Sequence, residues 1–130
     1  MYMEILEVLK KIFFPFGKRM SFFDEKGRLR MKLRSSSVVY IKSEANYVNV
    51  FYVERGKLKH FMLRTTMKSL ESECLVHGLF RCHRSYYVNP KRITSLHREN
   101  SKVMYAEMKA PEPHQVPVAV TYYESLAEIC

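Results

Sequence analysis

One tract of the chain combines basic, hydroxyl and aromatic side chains at close spacing. It extends from Cys74 to Arg98, contains no Asp or Glu, and has at its centre residues 80–89, which read FRCHRSYYVN. Most protein surfaces mix both signs of charge, so a tract of one sign indicates a polyanionic partner. Guanidinium and hydroxyl groups are donors that suit phosphate oxygens and base edges. The tract therefore predicts binding to DNA.

The composition is that of a basic globular protein. The net charge of +9 and the pI near 9.6 favour attraction to nucleic acid or to an anionic membrane surface. A hydrophobic fraction of 47% argues against disorder. No apolar run reaches the roughly 20 residues that span a bilayer, and Glu4 and Glu7 interrupt any signal-peptide pattern. The three cysteines form no disulfide framework, so a cytoplasmic location is expected.

The first 27 residues are predicted to form an amphipathic helix and a linker. Apolar residues recur at three- and four-residue steps over Met1–Phe14, and Pro15 and Gly17 end this pattern. A linker is expected from Gly17 to Gly27. This reading divides the chain into an N-terminal segment, residues 1–27, and one domain, residues 28–130.

The rest of the chain is predicted to be mostly β, with short helices at its edges. Apolar and basic residues alternate over residues 28–34, which predicts a strand with one basic, solvated face. A short helix is expected from Thr65 or Thr66 to about Leu75, with Leu75 inward, and a capping box at Thr121 predicts a terminal helix. Further strands are expected at residues 38–42, 47–53, 58–64, 86–88, 92–96, 102–107 and 116–120.

Residues 80–89 resemble the signature segment of the LytTR family of bacterial DNA-binding domains, FRxH[RN]S[YF]xVN. Other pieces of the family pattern match in order before and after this segment, and the resemblance covers about residues 36–129. It implies an elongated stack of small antiparallel sheets, whose loops enter successive major grooves on one face of bent DNA. It also implies a transcription regulator. Because only residues 1–27 precede the domain, a stand-alone protein without a receiver domain is expected, and no cofactor.

Three side chains are candidates for contacts with bases. The resemblance places Arg84 in a major groove, where it could contact guanine O6 and N7; a phosphate contact or a surface ion pair is the alternative. Asn46 lies in a loop that the family also places in a groove, and its amide matches adenine, although asparagine is common in loops. Thr121 follows the closing strand, where family members commonly carry arginine. It could contact DNA or cap the terminal helix.

Seven further residues are candidates for contacts with the DNA backbone. Thr66 and Lys68 lie at the start of the short helix, whose free N–H groups attract anions, although capping alone would explain Thr66. The resemblance puts phosphate contacts there and at Lys102. Two others, Lys91 and Arg92, are chosen on charge alone. The full set is Tyr47, Thr66, Lys68, Ser85, Lys91, Arg92 and Lys102.

The spacing of cysteine and histidine suggests a metal site or a catalytic pair, and the details argue against both. Cys74 and His77, followed by Cys82 and His83, could supply four ligands, but adjacent Cys-His pairs rarely supply two to one zinc ion. For Cys82 and His83 as a catalytic pair, neighbouring strand residues point to opposite faces, and no acidic residue lies near them in sequence. We expect no metal and no enzymatic activity, and we expect His83 to be a mostly buried, hydrogen-bonded structural residue.

The sequence therefore predicts a transcription regulator that binds duplex DNA sequence-specifically. RNA binding stays open, because Tyr86, Tyr87 and nearby arginines could stack on unpaired bases. A general interaction module for anionic partners stays open as well. A homodimer on DNA and an inhibitory protein partner docked on the helix Met1–Phe14 are further hypotheses. No motif identifies the target genes, the direction of regulation or the controlling signal.

Overall fold

A computed structural model describes residues 19–130, and the helix expected over Met1–Phe14 lies outside the described residues. Ten strands and two α-helices lie within this range. The strands are β1 (Arg19–Phe23), β2 (Leu29–Arg34), β3 (Val38–Glu44), β4 (Tyr47–Glu54), β5 (Lys57–Leu63), β6 (Phe80–His83), β7 (Tyr86–Val88), β8 (Ile93–Arg98), β9 (Met104–Met108) and β10 (His114–Pro117). The helices are α1 (Glu71–Val76) and α2 (Val120–Ile129).

The strands form three small antiparallel sheets. β1 and β2 make a two-stranded hairpin, and the central sheet has five strands in the order β5-β4-β3-β7-β6. The third sheet has three strands in the order β10-β9-β8. The prediction of a mostly β protein with small antiparallel sheets and short helices is confirmed. In the central sheet β3 pairs with β4 on one side and with β7 on the other, so the signature segment is joined directly to the middle of the fold.

Apolar side chains pack on both faces of the central sheet. The first core lies between this sheet, the β1–β2 hairpin and α1, and it includes Met20, Phe22, Val48, Val50, Leu70 and Cys74. The second core lies between this sheet, the third sheet and α2, and it includes Val39, Cys82, Val88, Met104, Val116 and Leu126. Successive strand side chains point to opposite faces, so alternate residues of one strand enter different cores. The two cores fix the positions of the turns at the strand ends.

The segment expected to be a linker contains strand β1. Met20 and Phe22 are fully buried, and they face Leu33 and Met31 of β2 in the hairpin register. The alternation of polar and apolar residues in β1 covers only five residues and begins next to a basic run, so the sequence pattern does not indicate a strand there. For residues 19–23 the linker prediction is therefore wrong, because burial of two large apolar side chains stabilises a strand there.

Two further differences concern α1 and the strand after it. Leu75, expected to face inward, is 76% exposed, whereas Leu70 and Cys74 are buried. A 3-10 segment, Lys68–Leu70, precedes α1 and shifts the helical phase, which turns Leu75 outward. From the sequence we also predict no strand at Phe80–His83, where the structure has β6. Residues 80–83 do alternate apolar and polar side chains, but a strand of four residues is too short for this alternation to stand out.

The end of the chain is organised differently from the predicted capping box. Strand β10 ends at Pro117, and α2 begins at Val120. Ala119 occupies the N-cap position and its carbonyl accepts hydrogen bonds from the backbone N–H groups of Tyr122 and Tyr123. Thr121 therefore lies inside the first turn and does not cap the helix. No helix in residues 19–130 is both long and apolar enough to cross a membrane.

Candidate nucleic-acid interface

The register of the central sheet brings two turns from distant parts of the sequence together. Lys42 of β3 pairs with Tyr86 of β7, and the Ser43 N–H donates to the Ser85 carbonyl oxygen over 2.8 Å. The β3–β4 turn and the β6–β7 turn therefore lie side by side at one end of the sheet. Asn46 is in the first turn and Arg84 is in the second. We call this end, formed by residues 44–47, 64–68 and 83–86, the loop end.

Arg81 holds the β6–β7 turn in place from inside. Its Nε donates to the His83 carbonyl oxygen over 3.0 Å, and its Nη2 donates to the carbonyl oxygen of Arg84. Its Nη1 donates to the Tyr87 hydroxyl over 3.4 Å, and the guanidinium lies over the Tyr87 ring, 5.0 Å from its centre. Arg81 is therefore a positioning residue for Arg84, a role that its sequence spacing did not reveal.

His83 stabilises the same turn as a neutral imidazole. Its Nδ1 accepts a hydrogen bond from the Ser85 N–H over 3.1 Å, and its ring packs edge-on against Tyr86 at 5.6 Å. Partial burial lowers the pKa of His83, and the nearby Arg84 and Arg81 guanidinium groups lower it further. The ring is half-buried, less than expected from the sequence, and hydrogen-bonded as expected.

The remaining signature residues are scaffold. Cys82, Tyr87 and Val88 are buried in the two cores. Asn89 is 5% exposed; its amide donates to the carbonyl oxygens of Ser35 and Val38 over 3.2 and 2.8 Å, and its Oδ1 accepts from the Lys91 N–H. Most of the signature therefore shapes the fold, and its recognisable pattern reflects packing as much as binding.

In the two adjacent turns of the loop end, two exposed polar side chains have no bonding partner among residues 19–130: those of Arg84 and Asn46. Within the part of the chain that the structure describes, neither side chain makes a hydrogen bond or an ion pair. Ala45, beside Asn46, has a φ of 55°, which gives the β3–β4 turn a left-handed residue that is unfavourable for alanine. Both side chains are free to contact a ligand that approaches the loop end.

Tyr47 is engaged with a basic residue that sequence reasoning missed. The Arg64 guanidinium lies 5.6 Å from the centre of the Tyr47 ring, and its Nη1 donates to the Tyr47 hydroxyl over 3.5 Å. Arg64 also forms an ion pair of 2.8 Å with Glu25 in the β1–β2 turn. Val48 pairs with Leu63 in the antiparallel β4–β5 register, which places Arg64 opposite Tyr47. A prediction of this register from the sequence would have found the contact.

Thr66 and Lys68 lie on the same end, after β5. The Thr66 Oγ1 accepts a hydrogen bond from the Ser69 N–H over 3.1 Å, which is the capping role considered for it. Lys68 is exposed at the start of the 3-10 segment, and its ammonium group has no ion-pair partner among residues 19–130. Lys68 thus adds an available positive charge to the loop end.

The third sheet brings Thr121 and Lys102 toward the loop end. The Ala119 N–H donates to the Cys82 carbonyl oxygen over 2.8 Å, and the Val118 N–H donates to that of Met104 over 3.0 Å. These bonds place the start of α2 and the β8–β9 turn beside the end of β6. Thr121 and Lys102 are both exposed there.

Lys91 and Arg92 lie at the opposite end of the central sheet, after β7. The Arg92 guanidinium donates to the carbonyl oxygens of Ser36 and Lys109 over 2.8 and 3.2 Å, so it ties together two loops. Lys91 is exposed. The structure therefore separates this pair from the other eight candidates.

The cysteines and histidines of the signature region do not converge. Cys74 is in the first core and Cys82 in the second, on opposite faces of the central sheet. Burial raises the pKa of each thiol to about 12, which favours the protonated form over a metal-binding thiolate. His77 lies 3.4 Å from the Glu73 carboxylate. No group of three metal-ligating side chains forms within residues 19–130.

Comparisons with known proteins identify the fold and the family of the chain. The fold is similar to a solved structure from Bacillus cereus, described as the LytTr DNA-binding domain of a methyl-accepting/DNA response regulator. The match has a TM-score of 0.66 at 18% sequence identity, and it covers 88% of this chain and 97% of that chain. The family model of the LytTr DNA-binding domain matches residues 29–130. The chain belongs to the LytTR family of DNA-binding domains.

Proposed function

We propose that this DNA-binding protein is a transcription regulator that recognises a specific duplex sequence through its loop end. Asn46 and Arg84 enter one major groove region from adjacent turns, and Thr121 contacts the next part of the duplex from the start of α2. Arg84 offers a planar fork of donors to guanine, and Asn46 offers an amide to adenine. Tyr47, Thr66, Lys68, Ser85 and Lys102 contact the sugar-phosphate backbone around them.

The observation that carries this proposal is a difference between the polar side chains of the signature segment: some bond to the protein itself and one does not. Three polar side chains of the segment form hydrogen bonds with the protein's own backbone, namely those of Arg81, His83 and Asn89. The Arg84 side chain, at the tip of the turn, has no hydrogen-bond partner within the described chain. A rigid turn lowers the entropy lost when a side chain binds, which favours specific contacts over general attraction. Lys91 and Arg92, at the other end, do not belong to this surface.

Duplex DNA fits this surface better than single-stranded RNA. Recognition of unpaired bases uses exposed aromatic rings as stacking platforms. Tyr87 is 3% exposed and Tyr86 is partly buried against Tyr40 and His83, so these two rings offer little stacking surface. Tyr47 is 37% exposed, but the Arg64 guanidinium lies over its ring. Polar side chains on projecting turns suit the edges of paired bases instead.

Selection of preferred duplexes from a random pool tests the proposal, followed by affinity measurements on the selected duplex, a shuffled duplex and a single-stranded RNA competitor. We expect a preference for the selected duplex and a steep loss of affinity with salt, because lysine and arginine displace condensed counterions. Equal affinity for selected and shuffled duplexes would instead indicate a general module for anionic partners. Preferential displacement by the RNA would favour RNA binding.

The other partner and location hypotheses stay predictions. A homodimer on DNA would be detected as a doubled stoichiometry on a selected duplex. An inhibitory partner at residues 1–14 would bind the full chain and not a chain lacking those residues. A cytoplasmic location follows from a chromosomal target and can be checked by cell fractionation.

A further inference from the structure

The outer face of the β1–β2 hairpin is a second basic surface, separate from the loop end. Met20 and Phe22 of β1 face the first core together with Leu33 and Met31 of β2. The alternate residues therefore face solvent. These residues, which we call the hairpin outer face, are Arg19, Ser21, Phe23, Arg30, Lys32 and Arg34, and Phe23 is 50% exposed.

All charged side chains of this face are positive, and none of them is paired with a carboxylate of residues 19–130. Arg19 is directly opposite Arg34 in the register, although like charges in that position destabilise a strand pair. Elsewhere in residues 19–130 five lysine or arginine side chains have carboxylate partners, among them Lys59 with Glu54 and Arg98 with Glu124. Among residues 19–130, no carboxylate pairs with any cation of the hairpin outer face.

The acidic groups nearest to the hairpin are committed to other partners. The Asp24 carboxylate pairs with Arg28 at 3.0 Å, and Glu25 pairs with Arg64 at 2.8 Å. The Glu73 carboxylate accepts a hydrogen bond from the Ser21 N–H at the edge of β1, over 2.6 Å. Because residues 19–130 supply no carboxylate that neutralises this repulsive arrangement, an external polyanion suits the face.

The position of the hairpin identifies which polyanion this is. Its tip is joined to the loop end, because the Glu25 N–H donates to the Arg64 carbonyl oxygen over 2.8 Å and Arg64 contacts Tyr47. Its base, at Arg19 and Arg34, lies toward the opposite end. A duplex bound at the loop end would therefore pass close to the hairpin tip, and bending it toward the hairpin would bring its backbone onto the outer face.

We propose that the hairpin outer face binds the phosphate backbone of duplex DNA that flanks the recognised sequence. This inference rests on the proposed function, because it takes the loop end as the place where the duplex is bound. Arg30, Lys32 and Arg34 project from one face over about 14 Å of strand. Phosphates of one DNA strand follow each other every 3.4 Å along the axis, so about four of them lie within that length. The surface adds affinity and bending without reading bases.

The test compares two forms of the selected duplex, one trimmed to the protected sequence and one extended by about one helical turn, about 10 base pairs, on each side. Wild-type protein should bind the extended form more tightly and with a steeper salt dependence. The triple variant R30T/K32T/R34T should lose this advantage, with the salt slope on the extended form reduced by about 2 to 3 and the affinity by about tenfold. On the trimmed form the triple variant should match wild type.

The controls separate charge from fold and from the base contact. Threonine favours strands, so the triple variant should unfold at the same or a higher temperature. The variant R30K/R34K keeps the charges and should keep the advantage of the extended duplex. Arg84→Ala should weaken binding to both forms equally, so failure of the proposed base contact is read from that variant alone.

Two results would overturn the inference about the hairpin. One is an equal effect of R30T/K32T/R34T on the trimmed and extended duplexes, or no effect on either. The other is unchanged duplex binding together with a variant-sensitive affinity for phosphatidylglycerol vesicles, which would assign the surface to an anionic membrane. Energy transfer between dyes at the ends of the extended duplex gives an independent readout: wild type should bring the ends closer, and the triple variant should do so less.

Discussion

The guanidinium of Arg81 donates to the backbone carbonyl of Arg84, so one arginine of the signature fixes the turn that presents the other. The same guanidinium also donates to the His83 carbonyl oxygen and to the Tyr87 hydroxyl. The two arginines are three residues apart and have the same charge, yet one serves the fold and the other faces solvent. This contrast leads to different expectations for their variants.

Arg84→Ala is expected to weaken binding to the selected duplex by about 1–3 kcal/mol and to relax the preference at one base position. The reason is the loss of a bidentate donor at a base edge. Affinity measured across single-base variants of the duplex gives the change in preference. Lys57→Ala removes one charge beside the β4–β5 turn, at the end of the central sheet away from the loop end, and should leave the base preference intact. A uniform loss across all sequences would show that Arg84 contacts phosphate.

Arg81→Lys is expected to reduce both stability and affinity although the charge is kept. A single ammonium group cannot reproduce the three donated hydrogen bonds of the guanidinium, and loss of hydrogen bonds from a charged donor costs about 1.5–3 kcal/mol of unfolding free energy. Urea denaturation measures the first effect, and duplex titration measures the second. Because the charge is unchanged, the salt slope should match wild type. Lower stability with unaltered affinity would mean that Arg81 does not position Arg84.

Lys102→Ala is expected to lower the salt slope by about 1 and to weaken binding uniformly across sequences, because a lysine on phosphate displaces counterions without reading bases. Lys91→Ala is the matched control, since it removes the same group at the opposite end of the central sheet. Its salt slope should stay close to that of wild type. Equal slopes for the two variants would contradict the assignment of the β8–β9 turn to the interface beside the loop end.

His83→Gln is expected to make stability less dependent on pH between about 5 and 7. The pKa of His83 is lowered in the fold, so the unfolded chain takes up a proton first as pH falls below about 6.5. The native state should lose stability as pH falls through this window and regain it as pH rises. Glutamine can accept the Ser85 hydrogen bond but does not titrate. Urea midpoints at several pH values, compared between the two proteins, isolate this contribution from the other histidines.

Asn89→Asp is expected to destabilise the fold by about 1–3 kcal/mol or more, because a carboxylate would replace the buried amide donor facing the carbonyl oxygens of Ser35 and Val38. Thermal and urea unfolding measure the loss. Asn46→Ala, an exposed change in the β3–β4 turn, should leave the unfolding free energy nearly unchanged while weakening duplex binding. Comparable destabilisation by both substitutions would contradict the distinction between scaffold and interface.

The sequence by itself determined the family, the mostly β character and the basic interface candidates. These properties depend on local patterns: period-two alternation, the signature at residues 80–89 and a tract without acidic residues. It did not reveal β1 or β6, because short strands with polar neighbours are stabilised by partners far away in the chain. The inward prediction for Leu75 fails for a different, local reason: the 3-10 segment Lys68–Leu70 directly precedes α1 and changes the phase of the helix.

Only the tertiary structure decided which polar residues are available to a ligand. Arg81 and Arg84 are chemically alike in the sequence, and the hydrogen-bond partners that distinguish them exist only after β6 and β7 have paired. Likewise, the register between β3 and β7 joins Asn46 to Arg84 and leaves Lys91 and Arg92 at the other end. Sequence patterns specify which elements form, whereas long-range pairing specifies which side chains share a surface.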